Sequence, residues 1–239
     1  MTRYMKILLV CLVAAFAMSA VAASAASAET EAEQQFFQNA AKEAPKKANF
    51  KDKSGLSILV VSGTVVQCKK DTSFGHFVGR TKIVDVVIYE NCKVIAGGKE
   101  CEINSVGAKA AGEITTTELT GELGEITTGS KVGILLEGEV NKAKEKVFAT
   151  LAATECSPET KVTGTIIGEV ENKKKLSSTG NVILTTAKKE GKTQSITKIE
   201  RSSNDESVTA GLKAFGKAAT DETTEENEFE EELELNAGA

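Results

Sequence analysis

The sequence predicts an all-β protein, a disulfide-stapled antiparallel β-sandwich or barrel that follows an N-terminal signal peptide. Three observations carry that prediction. Short runs rich in Val, Ile and Thr recur from Gly55 onward, with turn residues every eight to twelve positions or so, as in sandwiches and barrels. Helical spacing is weak. It is confined to Glu31–Lys42 and to Val208–Ala219, and Gly211 and Gly216 make the second stretch equally readable as strand and loop. The cysteines, finally, are even in number once the leader is set aside.

That leader is residues 1–28. Arg3 and Lys6 precede the apolar run Ile7–Met18, and small residues ending in Ala26-Ser27-Ala28 precede the polar Glu29. A basic start, a short apolar core and an A-x-A site are the parts of a secretory signal peptide. The core is short beside the roughly 20 residues of a spanning helix, so cleavage near Ala28 is expected rather than anchoring. Removing residues 1–28 from the 239 leaves 211, enough for one large or two small domains. No later apolar run is long enough to span a bilayer as a helix.

In chain order, residues 29–54 read as a polar lead-in with isolated Phe36, Phe37 and Phe50, and residues 55–200 as the β-domain. Leu56–Val61, Ser62-Gly63 and Thr64–Cys68 predict a hairpin, because a two-residue Ser-Gly linker suits a tight turn. Phe74 and Phe77 lie in a following strand. Ile83–Tyr89 is the most β-branched run in the chain, and a turn at Gly97-Gly98 follows it. Further strands are expected at Glu113–Leu119, Gly124–Thr127, Lys131–Val140, Val147–Cys156, Lys161–Val170, Ser177–Ala187 and Thr193–Glu200. The tripeptide Gly-Glu-(Ile/Leu/Val) recurs at Gly112, Gly121, Gly124, Gly138 and Gly168 without a fixed period. It predicts a bend at glycine, glutamate outward and the aliphatic residue inward.

Residues 201–239 form an acidic C-terminal segment. The apolar positions 229, 233 and 235 keep a period of two with one miss, which suits closing edge strands guarded by glutamates. A solvated acidic tail fits the composition equally well.

The 29 basic residues fall to 27 with the leader, against 34 acidic ones, and nine acids lie between Asp221 and the C-terminus. That balance offers no basic excess for nucleic acid, whose phosphates are bound chiefly by Lys and Arg. Cys11 departs with the leader. Cys68, Cys92, Cys101 and Cys156 remain, and in an exported chain four cysteines read as two disulfides. Sequence leaves three pairings open. The Gly97-Gly98 turn favours Cys92–Cys101, which leaves Cys68–Cys156 as a long-range staple contributing roughly 4 kcal/mol by chain entropy. Zinc is disfavoured, with no C-x-x-C pair and one histidine.

No catalytic template fits. His76 is the only histidine, it lies between two phenylalanines, and no G-x-S-x-G accompanies it. It reads as a turn or strand-end residue. Glutamates such as Glu113, Glu122 and Glu139 could pair as acid and base, but with so many acids some pair satisfies any distance. The mature chain has no Trp and only Tyr89, few platforms for a sugar cleft. Ser202–Glu206 is an oxygen-rich loop and no EF-hand. Phosphate-cradling glycine motifs are absent, so no cofactor is expected.

Ser62–Thr72, the Cys92 to Cys101 segment with Gly97-Gly98, Gly107–Gly124 and Val162–Val170 with Asn172-Lys173-Lys174 resemble a family of uncharacterised exported proteins of actinobacterial-type bacteria. The resemblance covers roughly residues 55–200 and consists of loose Gly/Thr patterns. It implies export and four structural cysteines, with no catalytic residue to carry over.

Together these readings lead to an exported, non-enzymatic β-domain acting outside the membrane, secreted or on the cell envelope, as a structural or binding module with an extracellular or cell-wall partner. Two alternatives stand beside it. One is a secreted carboxylate-dependent hydrolase. The other is an inhibitor presenting the Cys92–Cys101 loop through a protruding Val94-Ile95-Ala96.

Overall fold

Two pairs of residues set the local geometry of the first half. Ser62 and Gly63 both take positive φ, 43° and 89°, and so do Gly97 and Gly98, at 58° and 79°. Two-residue turns of this kind match the twist of the strands they join. Both expected turns are therefore hairpins, with Val61 opposite Thr64 and Ala96 opposite Lys99.

The computed structural model describes residues 34–38, 44–45, 49–126, 131–170, 175–176, 184–185, 187–188, 193–194, 196–230 and 233–237. The expected signal segment 1–28 and parts of the strands expected over Ser177–Ala187 and Thr193–Glu200 lie outside the described residues. Residues 33–239 cluster as one compact unit.

All regular elements among the described residues are strands, and every pairing is antiparallel. The first eight are β1 (Gln34–Gln38), β2 (Asn49–Ser54), β3 (Ser57–Val61), β4 (Thr64–Cys68), β5 (Lys70–Val78), β6 (Lys82–Glu90), β7 (Lys93–Ala96) and β8 (Lys99–Glu102). The central part holds β9 (Ile114–Thr115), β10 (Leu119–Ile126), β11 (Lys131–Glu137), β12 (Glu139–Val140), β13 (Lys146–Leu151) and β14 (Thr160–Val170). Four short pieces follow, β15 (Lys175–Leu176), β16 (Leu184–Thr185), β17 (Ala187–Lys188) and β18 (Thr193–Gln194). The chain ends in β19 (Lys198–Arg201), β20 (Ser207–Thr209), β21 (Gly211–Ala214), β22 (Lys217–Glu222), β23 (Thr224–Phe229) and β24 (Leu233–Ala237).

The pairings trace two rings that share β14. In the first, the ladder runs from β2 through β5, β6, β10, β11, β14, β16 and β23 back to β2. In the second it runs from β14 through β21, β22, β3, β4 and β7 to β8. The chain beyond β8 then meets β13, with Val106 N–H donating to Thr150 O at 2.7 Å and Ala152 N–H to Asn104 O at 2.8 Å. Since β13 pairs with β14, that contact completes the ring. Consecutive strands pass from one ring to the other at β2 into β3, β4 into β5, β6 into β7, and β22 into β23.

Each ring has its own core. Phe36, Phe50, Phe77 and Phe229 cluster with Leu123, Val170 and Leu233 in the first, the ring centroids of Phe36 and Phe77 lying 4.8 Å apart. Gly75 permits this packing, because a Cβ there would stand 2.2 Å from the Phe50 ring. Val66, Val94, Ile103, Leu119, Leu151 and Ile166 belong to the second core. A third cluster, Ile126, Leu135, Ile167, Ile196 and Ile199, covers the other face of β10, β11 and β14. Those strands are buried on both faces, which explains near-continuous apolar runs such as Ile134-Leu135-Leu136.

Several expectations change here. The stretch of weak helical spacing at Glu31–Lys42 holds β1, and of the two readings open for Val208–Ala219 the strand one holds. Phe36, at 2% exposed, and Phe50 are core residues, so the β-domain includes β1 and β2 and does not begin at Gly55. The acidic segment supplies strands: β23 pairs with β2 and β24 with β1, burying Phe229, Leu233 and Leu235 while Glu226 and Glu228 stay exposed. Glu122 is buried and Val140 exposed, against the outward-glutamate pattern expected of their tripeptides.

All four cysteines are in disulfides, but not in the favoured pairing. Cys68 bonds Cys92, and Cys101 bonds Cys156. Register decides this. Cys101 lies opposite Val94, while Cys92 lies opposite Ile103, whose N–H donates to Cys92 O at 3.2 Å. The two are thus diagonal neighbours, farther apart than a disulfide tolerates. Cys68 stands directly across from Cys92, one step beyond the Gln67–Lys93 pair, with a Cα–Cα distance of 4.0 Å. Cys101–Cys156 staples the seam where the second ring closes on β13.

Candidate functional site

Alternation along β2, β5 and β6 places polar residues where the two rings meet. On β6 the inward positions are Ile83, Asp85 and Val87, with Ile83 in the first core and Val87 in the second. On β5 they include Asp71, Ser73 and Phe77, and on β2 Phe50 and Asp52. A belt of Asp52, Asp71, Ser73 and Asp85 therefore separates the aromatic core from the aliphatic one, and all four are buried.

Asp71 is well satisfied. It accepts from Ser54 N–H at 3.1 Å, from the Ser57 hydroxyl at 2.9 Å and from the Ser54 hydroxyl. Ser57 also meets the Thr223 hydroxyl at 3.0 Å, which ties together the passages of β2 into β3 and β22 into β23. Burial still raises the Asp71 pKa, against those hydrogen bonds.

Asp52 and Asp85 are less well served. Each is 5% exposed and leaves Oδ1 without a hydrogen-bond partner, with the buried Ser73 beside them. Burial pushes Asp52 up to about 8, and the charges of Asp85 and Asp71 add to it. Burial also pushes Asp85 up to about 6, helped by the charge of Asp71 and opposed by Ser73 and the Val86 backbone. The two carboxyls behave as a pair that holds a proton at neutral pH.

Asp85 also borders a cavity of about 100 Å³ inside the second ring. Its walls are aliphatic and aromatic, including Val66, Leu119, Leu136, Phe148, Leu151 and Ile166. Ser57, Asp85, Thr116, Asp221 and Thr223 contribute the polar part of the lining. The space far exceeds the roughly 10–15 Å³ one water requires. Left empty, it would cost the fold roughly 2–3 kcal/mol. The apolar cavity and the unsatisfied Asp85 carboxylate oxygen thus lie side by side.

The residues weighed in the sequence fall elsewhere. His76 is exposed on β5, two residues before the strand's C-terminal end and opposite Val84. Glu113 accepts from Lys109 N–H at 3.1 Å and from the Thr115 hydroxyl, within its own loop. Glu139 is exposed on β12. Glu122, 4% exposed, receives Arg201 Nη1 and the Ser203 hydroxyl, while Arg201 Nη2 reaches Glu137 at 2.8 Å. That ion-pair group clamps β10, β11 and β19. The three glutamates do not share a partner among these contacts. Val94 is fully buried and paired with Val66, so Val94-Ile95-Ala96 is a strand and not a protruding loop. Ser202–Glu206 is a turn in which Glu206 N–H donates to Asn204 Oδ1 and the Glu206 carboxylate reaches Arg201.

Sequence reading missed the belt and the cavity. The signal was an aspartate at the inward parity of Ile83-Val84-Asp85-Val86-Val87, where alternation alone calls for an apolar residue.

Among the described residues no group of three His, Cys, Asp or Glu is placed to hold a metal ion, and no helix is long and apolar enough to cross a membrane. Comparison with family models, with curated proteins and with solved structures finds no match to this chain.

Proposed function

We propose that this protein is an exported, non-enzymatic binding module that holds a small, largely apolar molecule inside its second β-ring. The cavity of about 100 Å³ in an otherwise packed aliphatic core carries the reading. Antiparallel β-rings of this size are suited to enclosing one small ligand. The N-terminal signal pattern supports export, and the two disulfides are compatible with an oxidising, extracellular setting. The separate surroundings of Glu113, Glu122 and Glu139 favour binding over a carboxylate-dependent hydrolase.

Calorimetric titration of the oxidised, signal-processed protein with toluene tests this reading. Ala149 lines the cavity, and Ala149→Leu would fill part of it. Saturable binding by the parent protein, reduced at least tenfold in Ala149→Leu, is the expected result. Equal binding by both, or none by the parent, would remove the cavity as the functional site.

A further inference from the structure

We propose that the ligand is a small, mostly apolar primary amine whose ammonium group sits against Asp85. This rests on the binding reading above and assigns its ligand class. Four observations converge on it. Asp85 is 5% exposed, borders the cavity and leaves Oδ1 with no hydrogen-bond partner. The other polar groups at that end are engaged: the Ser57 hydroxyl donates to Asp71 Oδ2 at 2.9 Å, and Thr116 Oγ1 accepts from Val87 N–H at 3.0 Å. The lining contains two carboxylates, Asp85 and Asp221, and no Lys, Arg or His. Behind Asp85 lie Asp52 on β2 and Asp71 on β5, both close enough to act on the charges of the belt.

A cation in the cavity would therefore meet only negative or neutral groups, in surroundings where charges are poorly screened. An ammonium carries three donors, one of which would satisfy the orphaned Oδ1. Its alkyl part would fill the aliphatic space that is otherwise vacant. An anionic head would instead meet the Asp85 carboxylate, with no cationic side chain in the lining to offset it. A neutral hydroxyl could supply one hydrogen bond but would leave the charge of Asp85 uncompensated.

The test uses three isosteric probes, n-butylammonium, n-butanol and butyrate, titrated into the oxidised protein and into Asp85→Asn, with toluene as reference. Butylammonium should bind the parent at least tenfold more tightly than butanol, and butyrate should not bind. Asp85→Asn should bring butylammonium down to the level of butanol while leaving butanol and toluene within about twofold. If butanol equals butylammonium in the parent, or if Asp85→Asn leaves the amine unaffected, the amine assignment falls while the binding reading stands. Binding of toluene alone also overturns the assignment. If neither toluene nor any of the three probes binds, the binding reading itself fails. Should Asp85→Asn not fold, the ranking of the three heads on the parent protein decides the question alone.

Discussion

Replacing Asp52 by Asn should make this protein more stable at neutral pH and change how its stability depends on pH. Asp52 is buried between the two cores, and burial, reinforced by the charges of Asp85 and Asp71, raises its pKa from 3.8 to about 8. The folded state therefore holds a proton that the unfolded state releases across that window. Where the folded state binds more protons, stability falls as pH rises. The contribution of Asp52 is thus most favourable below pH 3.8 and is lost progressively up to about pH 8. At about 1.4 kcal/mol per pH unit, a window of about four units sets a ceiling of roughly 5 kcal/mol. Asp85, raised to about 6, acts in the same direction over the lower part of the window. Glu145 is lowered by its hydrogen bond from Asn141 and by Lys161, so it acts oppositely, losing stability only as pH falls below the ordinary carboxylate range. Asp71, also raised by burial, acts in the same direction, so measurements between pH 5 and pH 8 report the buried carboxyls and not Glu145. Urea unfolding should show the parent midpoint falling across that interval. Asp52→Asn, which keeps the shape and removes the charge, should be more stable than the parent by about 2–4 kcal/mol at pH 8 and nearly equal to it at pH 4.5. A parent midpoint that is flat or rises from pH 5 to pH 8 would refute the reasoning. So would an Asn variant no more stable than the parent at pH 8.

Two further outcomes follow from the fold. The Cys101–Cys156 bond spans a sequence separation of 55, so replacing both cysteines by Ala should cost about 4 kcal/mol, read as a lower denaturant midpoint. The Cys68–Cys92 bond, with a separation of 24, should cost about 3 kcal/mol by the same measurement, and peptide mapping should recover these two pairs and not Cys92–Cys101. Replacing Arg201 by Met strands the buried Glu122, which should cost about 3–5 kcal/mol. Adding Glu122→Gln to that variant should recover part of the loss.

What the sequence could and could not reveal divides along contact distance. Ser62-Gly63 and Gly97-Gly98 were legible because a two-residue turn needs positive φ at both positions and announces itself locally. The disulfide pairing was not, because it depends on the register of β4 against β7, which no local pattern encodes. Phe36 looked like part of a lead-in because its strand partner, β24, comes at the opposite end of the chain, where Leu235 faces it. Glu122 read as an outward residue because its neutralising partner, Arg201, is remote in sequence. The candidate site was the least legible feature. Asp52, Ser73 and Asp85 sit on three different strands, and only the junction of two rings makes their inward parity meaningful.

The central claim, a ligand position in the second ring with Asp85 at its polar end, is tested most directly by intermolecular NOEs in a butylammonium complex. The account predicts contacts from the alkyl protons to the methyls of Val66, Leu151 and Ile166, all of which line the cavity. Contacts confined to exposed residues such as Phe74 and Val78 would contradict it.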